Sequence, residues 1–230
     1  MVLYHLLLIL VVHIIIGVSF AIDPASYFDD EVYKEWVSSS SASYYTKHTF
    51  LPTTNNDGSG AALFWKIDDE KEEIQFAIAV NADGWVGLGI SEAGGMIGSD
   101  IALFESSSPG QLTDSYVLED RAGGPIVDGC QDWSLLNATI LDEGWMVVEM
   151  SRLLDTKDTQ DHAIKNDEEL WSAPTRIIAA WGDEASVSYH GNSKSRASVR
   201  LFAKGDDSVD DGVGLREALE NESDGYFEVR

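Results

Sequence analysis

An antiparallel all-β sandwich of about ten strands is the fold this sequence predicts, on three observations. Short runs rich in Val, Ile, Phe and Trp recur along the chain, each bounded by Gly, Asn, Asp or Ser. Glu73 to Val80 places Ile74, Phe76, Ile78 and Val80 at every second position, the period of a strand with one face buried. No regular alternation of strands with long amphipathic segments is present, which argues against a parallel α/β sheet.

Taken in order, Lys47 to Pro52 reads as the first strand and Asn55 to Gly60 as a loop. Ala62 to Ile67, Glu73 to Val80 and Trp85 to Ile90 follow as strands. Asp68 to Lys71 reads as a charged turn, and Asn81-Ala-Asp-Gly84 as a hairpin-type turn. Gly94, Gly95 and Gly98 then make a glycine-dense loop that holds Met96 and ends on Asp100. Ile101 to Glu105 and Leu112 to Leu118 are strands, and Glu119 to Val127 a loop. Trp133 to Ile140 and Trp145 to Met150 pair around Asp142-Glu-Gly144. Arg152 to Leu170 is charged and has no strand period, so it reads as a long loop with a helical turn. Arg176 to Trp181 and Ala197 to Phe202 complete the set.

The ends have a different character. Residues 1 to 21 read as a secretory signal peptide, with an apolar run from Leu6 to Ile16 and small residues at Ser19 and Ala21. An uncleaved membrane anchor is the alternative, since the leader lacks Lys and Arg. Both readings put the remainder in the secretory pathway, extracellular or lumenal, where Asn137 and Asn221 stand in glycosylation tripeptides. Residues 22 to 44 read as a polar linker with a short helical turn in Asp29 to Val37, 45 to 203 as the domain, and 204 to 230 as an acidic tail. The single cysteine, Cys130, excludes an internal disulfide and reads as a buried small hydrophobe, with a free thiol or an intermolecular bridge as the alternative.

A formal charge of −25 excludes nucleic acid as a partner. No Gly-x-Ser-x-Gly elbow, His-Glu-x-x-His, His-x-His or Cys-x-x-Cys is present, which speaks against nucleophilic hydrolysis and a dedicated zinc or copper site. Two constellations remain. Asp100, Asp114 and Asp132 lie in successive β-segments and offer hard oxygen ligands for a cation such as Ca²⁺, or cap turns. Met96 and His190 lie on loops and offer a thioether and an imidazole, the axial pair of some haem irons, or are an ordinary packed methionine and a surface histidine. The tryptophans Trp65, Trp85, Trp133, Trp145, Trp171 and Trp181 read as core, with a sugar- or catechol-stacking platform as the alternative.

Leu63-Phe-Trp-Lys-Ile67, Gly84-Trp-Val-Gly-Leu-Gly-Ile-Ser91, Gly95-Met-Ile-Gly-Ser-Asp100, Asp114-Ser-Tyr116, Gln131-Asp-Trp133, Arg152-Leu-Leu-Asp-Thr156 with Asp158 and Asp161, and Tyr189-His-Gly191 occur in an order that resembles the DOMON domain. The resemblance covers about residues 45 to 203 and is nearest to the kind linked to copper monooxygenases such as dopamine beta-monooxygenase. It implies an immunoglobulin-like sandwich that binds a ligand, haem or sugar in some branches, rather than one that catalyses by itself. It implies a cation site in which Asp100 and Asp132 act through carboxylates and Ile101 and Ser115 through backbone carbonyls. In the cytochrome-like branch it implies haem b held by the counterparts of Met96 and His190. The copper ligands of the monooxygenase domains are absent from this chain, and Lys157 stands where those relatives often place a tethering cysteine. Gly225 to Val229 resembles the linker into a copper domain, so a copper-monooxygenase domain or a redox protein is the partner the resemblance implies.

Overall fold

The computed structural model describes residues 22–55, 57–118, 124–168 and 171–203. The leader, the acidic tail and the Asn221 tripeptide lie outside them. The described residues form an all-β sandwich of two antiparallel sheets. Eleven strands are β1 (Lys47–Pro52), β2 (Gly60–Asp68), β3 (Glu73–Asn81), β4 (Trp85–Ser91), β5 (Ser99–Glu105), β6 (Leu112–Tyr116), β7 (Ile126–Val127), β8 (Ser134–Ile140), β9 (Trp145–Leu153), β10 (Thr175–Gly182) and β11 (Lys194–Val199). One sheet has the order β1-β2-β3-β9-β8 and the other β11-β10-β4-β5-β6-β7. A Thr53–Ser195 bridge joins the end of β1 to β11 and closes one side of the sandwich.

The core between the sheets follows from strand alternation. β2 sends in Leu63 and Trp65, β3 sends in Ile74, Phe76, Ile78 and Val80, and β9 sends in Met146, Val148 and Met150. They meet Val86, Leu88, Ile90, Phe104, Ile177 and Trp181 from the facing sheet.

The other face of the five-stranded sheet is buried too, and here the structure departs from the sequence reading. The segment read as a polar linker runs across that face, with helix α1 (Glu31–Val37) at its centre. Asp30 caps the helix by accepting from Tyr33 N at 2.9 Å. Tyr33, Trp36 and Tyr45 pack on Phe64, Ala77, Ala79, Trp145 and Val147. Tyr33 stacks on Trp145 at 5.1 Å between ring centroids, and Phe28 meets the same indole edge-on at 4.8 Å. Ala77 and Ala79 are the positions that half-burial would leave to solvent. They are small because the strap lies directly over them.

Three further readings are corrected. The turn at residues 81–84 joins the two sheets instead of closing a hairpin, for β3 pairs with β2 and β9 while β4 pairs with β5 and β10. A Cβ on Gly84 would stand 2.2 Å from the Glu184 carbonyl, so the crossing needs that glycine. Cys130 is exposed, in the loop between β7 and β8. Residues 154–168 and 171–174 contain no helix.

If the strap is part of the fold, Trp36→Ala lowers the unfolding free energy by about 3 kcal/mol, measured by urea titration. An unchanged urea midpoint would make residues 22–44 a linker after all.

Candidate functional site

Two places concentrate unusual chemistry. One is a buried ionic cluster at one end of the sandwich. The other is an open cleft on the outer face of the six-stranded sheet.

The ionic cluster forms around Arg152, at the end of β9. Its side chain has no exposed surface. The guanidinium donates to Asp100 Oδ2 through Nη1, to Asp161 Oδ2 at 3.4 Å through Nη2, and to the Leu153 carbonyl at 3.1 Å through Nε. It also lies over the Trp133 ring, 5.1 Å from its centroid. Asp100 accepts from Trp133 Nε1 at 2.9 Å and from the His162 backbone N–H at 3.2 Å.

The Gln131-Asp-Trp133 segment acts as a clamp on this cluster. Gln131 Oε1 accepts from Asp114 N at 2.9 Å, while its Nε2 donates to the Asp128 carbonyl at 2.9 Å and the Asp114 carbonyl at 3.2 Å. Asp132 N donates to Asp114 Oδ2 at 2.8 Å. Asp114 Oδ1 is left buried with no hydrogen-bond partner, as is Asp128 Oδ2. Asp100, Asp114 and Asp161 each bring a carboxylate oxygen to within 4.8 Å of the others. Burial, with its neighbours Asp161, Asp100 and Asp128 adding to it, pushes the Asp114 carboxyl up to about 7, and burial raises Asp161 as well.

The structure therefore sorts the expected cation ligands into two groups. Asp100 lies with Asp114 and Asp161, whereas the Asp132 carboxylate lies with Cys130 and Asp158. Ile101 and Ser115 face each other across β5 and β6. The oxygen-only character of the Asp114 group suits a hard cation, and the orphaned Asp114 oxygen fits one. On its Asp100 side the cluster is already neutralised by Arg152.

The cleft has a volume of about 920 Å³, within the range of small-molecule sites. Strand register explains its shape. Gly89 stands between Ile178 and Ile101, and Gly87 between Ala180 and Leu103. Two glycines thus remove side chains from the middle of the sheet and leave a trough floored by backbone. A Cβ on Gly89 would approach the Asp100 carbonyl to 2.8 Å. Unlike the strapped face of the other sheet, this face holds a cleft among the described residues.

Met96 and His190 both line this cleft. Met96 is 37% exposed, on a loop whose turn is tied by Ser91 Oγ accepting from Gly95 N at 3.1 Å. His162 Nε2 donates to the Gly98 carbonyl at 2.6 Å, so the ionic cluster and the Met96 loop share one residue. The His190 Nδ1 contacts the Gly191 carbonyl at 3.0 Å. A carbonyl only accepts, so Nδ1 is the donor in this contact and Nε2 is the ring nitrogen left for another partner. Tyr189 stacks on the His190 ring at 5.3 Å. A thioether, a free imidazole nitrogen and an apolar floor together fit a planar iron-containing ligand.

Sequence reasoning missed Arg152 and His162 as site-building residues. The available signal was an arginine ending an apolar strand, followed by a run of aspartates. Trp65, Trp85, Trp133, Trp145 and Trp181 are buried as expected, but Trp171 is 83% exposed.

With this geometry in hand, the comparisons decide the family. The model of the DOMON domain matches residues 57–173, half of the chain. The chain belongs to the DOMON family. This DOMON chain is 32% identical over 124 residues to "DBH-like monooxygenase protein 2" of Mus musculus, covering 53% of the chain and 19% of that relative. It is 29% identical over 155 residues to "DBH-like monooxygenase protein 1" of Gallus gallus, covering 64% and 23% respectively. The match thus spans about a fifth of these curated relatives' own length. Among solved structures, the cytochrome domain of Myriococcum thermophilum cellobiose dehydrogenase is 10% identical with a TM-score of 0.44, over 74% of this chain and 88% of that one. The cytochrome b domain of pyranose dehydrogenase from Coprinopsis cinerea is 11% identical with a TM-score of 0.44, over 64% and 80%.

Asp114 sets a pH dependence opposite to that of an ordinary salt-bridged aspartate. Its proton is held to about pH 7 in the folded chain but is lost near pH 4 in the unfolded one. Its contribution to stability is therefore full below the unfolded value and is lost as pH rises through 7. In chelator-treated protein, wild type loses more stability between pH 4.5 and pH 8 than Asp114→Asn does. Equal slopes in thermal melts of the two would refute this.

Proposed function

We propose that this DOMON chain is a ligand-binding module of the secretory pathway whose ligand lies in the cleft of the six-stranded sheet. The observation that carries the reading is the convergence of Met96 and His190 on one cleft over Gly87 and Gly89. These two residues are far apart in sequence, and each brings an atom with a free lone pair. Haem b is the ligand this chemistry favours: Met96 Sδ and His190 Nε2 would hold the iron, and the trough would seat the ring. Haem bound this way supplies one-electron chemistry, which makes a redox protein or a copper-monooxygenase domain the matching partner. The relatives' names are consistent with such a setting, since this chain spans about a fifth of their length.

A sugar module is less well supported, because four of the candidate tryptophans are buried away from the cleft and Trp85 alone of the six lines it. Catechol-like ligands would fit the cleft by size but would leave the Met96 and His190 pair without a role.

Absorption spectroscopy of the secreted protein, expressed with haem available, tests the reading. A Soret band is expected, and Met96→Ala and His190→Ala should each shift or abolish it. A folded, colourless protein that fails to take up added haemin would refute haem as the ligand.

The second reading is a cation in the ionic cluster, and the buried, unpartnered Asp114 Oδ1 specifically favours it. Calcium at a hundredfold excess over its dissociation constant should then stabilise the protein by about 2.7 kcal/mol. The gain should vanish in Asp114→Asn. A melting temperature indifferent to both calcium and chelator would remove the cation.

A further inference from the structure

The charge around the cleft is the reverse of the charge of the chain. The protein carries 40 acidic residues against 15 lysines and arginines. Among the described residues no Asp or Glu lines the cleft, yet Lys194 and Arg196 do. Strand register places both cations along one side of the trough. Arg196 stands opposite Ile178, next to Gly89, and Lys194 opposite Ala180, next to Gly87. Neither forms an ion pair among the described residues. The trough itself is apolar, with Ile101, Leu103 and Ile178 beside its two glycines. An apolar groove with unpaired cations along one flank is complementary to a molecule with an apolar body and an acidic end.

From this we infer that the cleft takes an amphipathic carboxylate, its apolar body in the Gly87–Gly89 trough and its acidic end at Lys194 and Arg196. The inference rests on the reading of this cleft as the ligand site, but not on iron. A porphyrin bearing carboxylate arms and a long-chain fatty acid both have this chemistry. In a chain of charge −25, the two cations also select against neutral apolar molecules of the same shape.

The test uses four fluorescence-detected probes on the full chain secreted from a suitable host. They are metal-free protoporphyrin IX, its dimethyl ester, a dansylated long-chain fatty acid and its methyl ester. The free acid of at least one pair should bind about tenfold more tightly than its ester, the difference a charge-assisted contact makes. Lys194→Gln/Arg196→Gln should close that gap. Both side chains are at least partly exposed, so the double variant keeps the fold, which circular dichroism checks. The same preference in Met96→Ala would separate the anion site from any iron ligation. Preference in the porphyrin pair alone identifies a porphyrin-like ligand. Preference in the fatty-acid pair alone sustains the inference while refuting the haem reading. Equal binding of acid and ester, a preference that survives the double substitution, or no binding in either pair would each overturn it.

Discussion

The Arg152 guanidinium is fully enclosed at one end of the sandwich, and a fully enclosed guanidinium must be answered by fixed acceptors. Asp100, at the start of β5, supplies the first of them, and Asp161, in the long loop after β9, the second. Trp133 and the His162 backbone then satisfy what remains of Asp100. Removing one partner would leave an uncompensated charge out of reach of water, so the parts stand or fall together. A loop without regular structure is thereby held in one place, and through His162 and the Gly98 carbonyl so is the glycine loop that carries Met96. Electrostatics at one end of the sandwich thus reaches the rim of the cleft by two hydrogen bonds.

The two outer faces of the sandwich are used differently, and the difference is written in side-chain size. On β2, β3 and β9 the outward positions are Ala62, Phe64, Ala77, Ala79, Trp145 and Val147, and an aromatic strap lies on them. On β4 the outward face carries Trp85, Gly87 and Gly89, and the cleft lies over the two glycines. An alanine row leaves room for a layer of the protein's own rings. A glycine pair leaves room for something thinner and longer, bordered by Ile178 and Ile101.

Much of the fold was legible because strand periodicity is a local property. Glu73 to Val80 declared its inward face, and the glycine-bounded runs declared most of the strands. What failed was non-local. The turn at 81–84 has hairpin chemistry whether its strands pair or part, so only Gly84's close approach to Glu184 distinguishes the crossing. The strap's aromatics stand among serines and acidic residues without a strand period, so the segment read as a linker, and only the alanines beneath Tyr33 and Trp36 show that it packs. Cys130 followed the usual preference of its residue type, but Gly129 and the clamp around Gln131 put it on a loop surface. Met96 and His190 were nameable from their chemistry alone. That they line one cleft depends on the pairing of β10 with β4, which no local pattern encodes. Arg152 and His162 act through partners 52 and 64 residues away, beyond any motif window.

Met96 sits at the rim of the cleft with its side chain open to solvent. A thioether in that position is within reach of peroxide. Oxidation would turn a soft sulfur donor into a polar, chiral sulfoxide. Such a change would exchange the softest donor at the cleft for an oxygen dipole, so the chemistry of the rim hangs on the state of one sulfur.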